Sequence, residues 1–138
     1  MLAGVDAGEG PALARLTAGA PVELTGYVDD ARLDALIRGA ELLVHPSLYE
    51  GFGLVVLEAM ARGTPVLAAR ATALPETGGD AARYFDPSDP ADLRRQLGAL
   101  LGDPQLRARL AGLGRDRAAT FSWERTARAT AAVYRELL

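Results

Sequence analysis

The feature that most narrows the fold is an alternation. From Leu2 to Phe85, short apolar runs suited to strands are separated by segments with helical spacing. Leu2 to Val5 is the first run, ended by the turn-forming stretch Asp6-Ala7-Gly8-Glu9-Gly10-Pro11. Pro11 then suits the first turn of a short helix reaching Ala18. Val22 to Thr25 alternates as a strand does, and Asp29 or Asp30 can cap a helix carrying Leu33, Leu36, Ile37 and Ala40 at helical spacing. Leu42-Leu43-Val44 reads as a strand covered on both faces, as in a parallel sheet. A loop from Pro46 to Gly53 leads into a helix from Leu54 to Arg62, which Gly63 ends. Pro65 to Ala68 is the next strand and, after a loop containing Pro and Gly, Ala82 to Phe85 another. From Pro90 onward only helices follow. The first ends at Leu101 before Gly102, the second opens at Asp103-Pro104 and runs to Thr120, and the third is capped by Ser122 and runs to Leu138. Strands alternating with helices, then a helical tail, predict an α/β fold: a Rossmann-like parallel sheet flanked by helices.

The chain has 138 residues, enough for one domain with a core but hardly two. Cys is absent, which removes disulfides, thiolate metal sites and cysteine nucleophiles together. Without disulfides the core must hold the fold alone, so a cytoplasmic home is expected; no signal-peptide pattern follows Met1 and no apolar run reaches membrane-spanning length, and peripheral membrane contact stays open. All 15 basic residues are Arg, as a GC-rich coding sequence would favour; they are scattered and outnumbered by 18 acidic ones, so nucleic acid is not an expected partner.

The segment from His45 to Met60 carries the chemistry. It sets a strand, a loop with two glycines and a helix N-terminus in succession. In open α/β sheets ligands bind beyond the carboxyl ends of the strands, which is where this loop falls. The amides of Gly53, Leu54 and Val55 would face outward with the helix dipole, ready for an anion such as a diphosphate, and Gly51 and Gly53 let the backbone come close to it. Two carboxylates flank this position. Glu50 precedes the helix, and Glu58, about one turn inside it, can lean back toward the same ligand because helical side chains tilt toward the N-terminus. Carboxylates repel phosphate but accept hydrogen bonds from sugar hydroxyls. Amide donors for phosphate beside acceptors for hydroxyls describe a nucleotide-sugar pocket. The same pattern also arises in ordinary helix starts with a solvated Glu.

The stretch from Glu50 to Glu58 resembles the motif of two Glu separated by seven residues in the family-4 retaining glycosyltransferases. Ser47-Leu48-Tyr49-Glu50-Gly51-Phe52-Gly53-Leu54, Leu57-Glu58-Ala59-Met60-Ala61 and Gly63-Thr64-Pro65-Val66 are similar to that family almost throughout. So, in the right order, are Gly8-Glu9-Gly10-Pro11, Gly26-Tyr27-Val28, Leu74-Pro75-Glu76 and Phe121-Ser122-Trp123-Glu124. The resemblance implies part of the C-terminal, donor-binding half of a two-domain GT-B fold. Residues 1–121 would form the nucleotide-sugar-binding domain and residues 122–138 a C-terminal crossover helix. It implies that Glu58 binds ribose hydroxyls, that Glu50 binds the transferred sugar and is the catalytic candidate, and that backbone amides from Phe52 to Val55 hold the diphosphate. Ser47 and Gly51 belong to the same donor loop, and Tyr27 and Val28 would lie against the base. The donor would be a UDP- or GDP-sugar, transfer would retain configuration by front-face departure of the diphosphate, and no metal or other cofactor is expected.

Two departures bear on activity. The strand and helix with which the family's half usually begins, bearing an Arg and Lys pair, have no match before Leu2, and the chain has no Lys. The acceptor domain has no match either. A fragment is therefore expected, binding donor and inactive in transfer by itself. Where the family often has Pro, this chain has Val55. The absence of Lys removes a pyridoxal-phosphate phosphorylase, while a sugar-nucleotide epimerase fragment and a non-catalytic binding or self-associating module remain as alternatives. Self-association would use an open sheet edge or the apolar Val133, Tyr134 and Leu137 of the last helix. His45 is expected to be structural, since no carboxylate partner is placed for it by sequence. Arg70 is expected to be a solvated loop residue, with contact to phosphate as the alternative. Glu76 is expected to support its loop and Trp123 to anchor the last helix in the core.

Overall fold

A computed structural model describes residues 1–4 and 8–137. Val5, Asp6 and Ala7 of the expected first strand and turn, and the final Leu138, lie outside the described residues. The chain divides into two compact units, Met1–Leu36 and Ile37–Leu138.

The first unit holds strand β1 (Leu2–Ala3), helix α1 (Gly10–Leu16), strand β2 (Leu24–Gly26) and most of helix α2 (Asp30–Gly39). β1 and β2 pair in parallel, with the amide of Leu2 on the carbonyl of Glu23 at 2.7 Å. β2 lies slightly later than the alternation of Val22 to Thr25 suggests. The α2 N-terminus is closed by the Asp29 carboxylate, which accepts from the Arg32 amide at 2.8 Å.

The second unit contains strands β3 (Leu43–His45), β4 (Val66–Ala69) and β5 (Arg83–Phe85), in that spatial order and all parallel. Helix α3 (Leu54–Ala61) connects β3 to β4, and the short helix α4 (Leu74–Gly78) with a 3-10 turn (Gly79–Ala81) connects β4 to β5. α5 (Pro90–Gly102), α6 (Pro104–Ala119) and α7 (Trp123–Glu136) follow. The α/β class, with a parallel sheet flanked by helices, is as expected. The described strands form two hydrogen-bonded sheets, one of two strands and one of three, rather than a single one.

The coverage of β3 corrects an expectation. Leu43 and Val44 are half-buried, and the strand enclosed on both faces is β4, whose four residues are all 0% exposed. The reason is position: β4 is paired on both sides, by β3 and β5, whereas β3 pairs only with β4 among the described residues. Below the sheet, α6 packs along α3. At Gly114 a Cβ would stand 3.2 Å from Met60 Cγ, so the absent side chain is what allows the two helices to approach so closely.

The helix starts at Asp103 and Ser122 are capped as expected, and α5 is capped by Asp89, a residue for which no role was expected from the sequence. Asp89 accepts from Ala91, Asp103 from Leu106 and Ser122 from Arg125. The segment expected as a loop before β5 is instead helical at Leu74–Gly78, opened by Pro75 in its first turn. Trp123 corrects another expectation. It is 77% exposed, and α7 buries no residue fully; Val133, Tyr134 and Leu137 are exposed too. The helix therefore has no aromatic anchor in the core at Trp123.

Candidate functional site

The site is built where β3 and β4 end. β3 delivers His45 at its last position, and the loop from Pro46 to Gly53 returns the chain to the start of α3. Gly53 is the residue before that helix, with φ +89°, and a Cβ there would stand 2.9 Å from Leu74 Cδ2. Both the backbone angle and the space therefore demand glycine. The Gly53 carbonyl accepts from Val56 at 3.0 Å, which starts the helix. Among the described residues, the amides of Gly53, Leu54 and Val55 find no acceptor in the chain. These are the outward-directed donors of a helix start, where the dipole favours an anion. The neighbouring Phe52 and Leu54 side chains are exposed rather than folded into the helix core.

Glu50 is held at two points. Its Oε1 lies 2.9 Å from His45 Nε2, and its amide donates to Thr72 Oγ1 at 2.9 Å. This corrects the expectation for His45: the loop doubles back, so a carboxylate five residues along the chain meets the ring. The contact engages one carboxylate oxygen and leaves the second free of this bond. Thr72, on the loop after β4, has φ +44°, the sole positive φ outside glycine among the described residues. A β-branched residue there is strained, and such strain is concentrated at ligand sites. No sequence signal marked Thr72.

Glu58 lies on α3, half-buried, and lines a cleft of about 280 Å³ with Phe52, Leu54, Phe121 and Trp123. Glu58 and Glu50 thus stand on either side of the unpaired amides in chain order, one on the helix and one on the loop before it. Ser47 is committed locally, its Oγ donating to the Tyr49 carbonyl at 2.9 Å, and Gly51 is exposed. Tyr27 and Val28 belong to the first unit, and the Tyr27 ring is 77% exposed. Glu76 is exposed, and its carbonyl accepts from Arg117.

A separate, open cleft of about 540 Å³ is lined by Arg70, Arg83 and Arg109 together with Asp80, Tyr84 and Gln96. The Arg70 guanidinium lies 5.2 Å from the centre of the Tyr84 ring. Burial is the chief reason that the Tyr84 phenol is pushed up to about 12, against the opposing pull of Arg70 and Arg117. Among the described residues there is no group of three or more His, Asp or Glu able to hold a metal ion. None of the helices described is long and apolar enough to cross a membrane.

Residues 12–117 match the family described as glycosyl transferases group 1. The chain belongs to that family. This group 1 glycosyltransferase sequence is 45% identical over 121 residues to an MMP alpha-(1->4)-mannosyltransferase of Mycolicibacterium hassiacum, covering 85% of this chain and 29% of that protein. It is 41% identical over 123 residues to a D-inositol 3-phosphate glycosyltransferase of Streptomyces scabiei, covering 88% and 28%. Among solved structures, sucrose-phosphate synthase of Thermosynechococcus elongatus superposes with a TM-score of 0.80 at 33% identity, over 94% of this chain and 33% of that one. HepE of Anabaena, solved in complex with UDP and glucose, gives 0.79 at 26% identity, over 99% and 40%. The group 1 glycosyltransferase chain therefore spans about a third of the length of the relatives it matches. Its architecture is part of a GT-B glycosyltransferase fold.

Proposed function

We propose that this chain is the donor-binding part of a retaining glycosyltransferase and takes a nucleoside-diphosphate sugar at the start of α3. The observation that carries the reading is the set of unpaired amides at Gly53, Leu54 and Val55, bracketed in the chain by Glu50 and Glu58. The diphosphate accepts from the amides, Glu58 takes the ribose hydroxyls, and Glu50 takes the hydroxyls of the sugar to be transferred. His45 holds one oxygen of Glu50, so the other is presented in a fixed direction. Ser47, Gly51 and Phe52 shape the same loop.

In transfer, the bond from the anomeric carbon to the diphosphate oxygen breaks. The acceptor hydroxyl oxygen bonds to the same face, and its proton passes to the departing phosphate. The reading assigns no metal ion. UDP is favoured by the bound UDP of HepE, with a GDP-sugar as the competing donor. Acceptor recognition is assigned to the part of these relatives that the chain does not match, so the chain alone binds donor in the cytoplasm without transferring sugar. Residues 122–138 serve as the crossover helix between the two parts.

Calorimetric titration with UDP, GDP and a sugar monophosphate tests this. Saturable binding of a nucleoside diphosphate, with the sugar monophosphate far weaker, is the expected result. No nucleotide binding at millimolar concentration would leave a non-catalytic module as the better description, and glycosyl transfer by the chain alone would contradict the division of labour.

A further inference from the structure

Behind the glycine loop, Phe52 is joined to three residues that the donor-binding roles do not use, Thr77, Arg117 and Phe121, in a closed circuit of contacts. Thr77, on α4, is 2% exposed, and its hydroxyl donates to the Phe52 carbonyl. The Thr77 backbone is itself fixed on both sides. Its amide donates to the Ala73 carbonyl at 2.9 Å, and its carbonyl accepts from Arg117 Nε at 3.0 Å. The Arg117 guanidinium lies 4.9 Å from the centre of the Phe121 ring, and Phe121 meets the Phe52 ring edge to face at 5.8 Å. Phe52 is therefore gripped at its carbonyl by α4 and at its ring by the end of α6.

The Phe52 carbonyl and the Gly53 amide belong to one peptide unit. Every peptide bond described is trans, so these two groups point in opposite directions. Whatever holds the carbonyl toward Thr77 aims the Gly53 N–H the other way, out of the α4 side. A rotated peptide would present a carbonyl oxygen to an incoming phosphate and remove one donor. Gly53, with its left-handed φ and no Cβ, is the residue type with the freedom to allow such a rotation.

We propose that Thr77 is a positioning residue of the donor site, acting through the Phe52–Gly53 peptide to keep the Gly53 amide turned toward the diphosphate. The proposal rests on the reading that the amides at the start of α3 bind that group. Thr77 touches no ligand. Its hydroxyl replaces the order that an unconstrained glycine loop would have to gain on binding, so the donor meets a site already arranged.

The test compares wild type, Thr77→Val and Thr77→Ser by calorimetry with UDP and GDP, with uridine and guanosine as phosphate-free controls. The 15N-resolved amide resonance of Gly53 is followed in each. Thr77→Val keeps the buried shape and loses the donor, and is expected to weaken diphosphate binding roughly tenfold, the scale of one charge-assisted hydrogen bond. The nucleosides should bind it as they bind wild type, and the Gly53 amide should lose its diphosphate-induced shift. Thr77→Ser, which restores the hydroxyl, is expected to recover both. A Thr77→Val chain that binds diphosphate as tightly as wild type, with the Gly53 shift intact, overturns the positioning role alone. So does equal weakening of the nucleosides, since that is general damage. A wild-type chain that binds no diphosphate overturns the underlying reading and the positioning role with it.

Discussion

His45 Nε2 sits 2.9 Å from Glu50 Oε1, joining the last residue of β3 to the loop carboxylate that follows it. This contact turns a flexible acid into a directed one. Replacing His45 with Ala frees the carboxylate and should weaken binding of a sugar nucleotide by about tenfold, the scale of a hydrogen bond to a charged group. Binding of the matching nucleoside diphosphate, which lacks the sugar, should change by less than about twofold. Calorimetry on the two ligands gives the ratio, and equal losses for both would remove Glu50 from the sugar.

Thr72 supplies the other hold on Glu50, its hydroxyl accepting from the backbone amide. Thr72→Val keeps the branched shape at the same strained φ and deletes the acceptor. A loss of about 1 kcal/mol in unfolding free energy is expected from urea denaturation. Thr72→Asn, a residue better suited to φ +44°, should lose less than the valine variant. Reversal of that order would mean that the backbone angle is not a strain on the loop.

Gly53 has neither the backbone angle nor the room for a side chain. Gly53→Ala should destabilise the chain by about 1–3 kcal/mol and abolish detectable diphosphate binding, because the start of α3 must move away from Leu74. Denaturation and calorimetry on one preparation check both, and a variant as stable as wild type would contradict the packing.

Tyr84 gives the fold a pH signature. Its hydroxyl donates to the Gly79 carbonyl at 2.9 Å, and burial raises its folded value to about 12 from the ordinary 10.0. Between these values the folded chain holds a proton that the unfolded chain has released. The stabilising contribution is thus complete below pH 10 and is lost as pH rises toward 12. Denaturation midpoints should fall across that window, and Tyr84→Phe should flatten the Tyr84 part of the fall.

Local signals were legible, and relationships across the sheet were not. Asp103 and Ser122 are readable as helix caps because a cap depends on residues within one turn, and Asp89 before Pro90 carries the same signal. The family resemblance and the glycine-to-helix loop were equally local. The coverage of β3 differs from the expectation because an apolar triplet looks alike at an edge and in the centre of a sheet, and strand order is not written in it. His45 and Glu50 met through the path of a loop, which spacing alone does not reveal. Pro75 followed by Glu76 could have marked α4, since Pro and an acid both suit a first turn. Trp123 is exposed rather than a core anchor, and the apolar Val133, Tyr134 and Leu137 farther along the chain are exposed too.

The central claim is that a diphosphate is held by the backbone at the start of α3, and a crystal structure of the chain with UDP or GDP tests it most directly. The account predicts phosphate oxygens about 2.7–3.2 Å from amide nitrogens of Gly53, Leu54 or Val55, with the ribose toward Glu58. A diphosphate bound instead among Arg70, Arg83 and Arg109, with those amides left open, would contradict it.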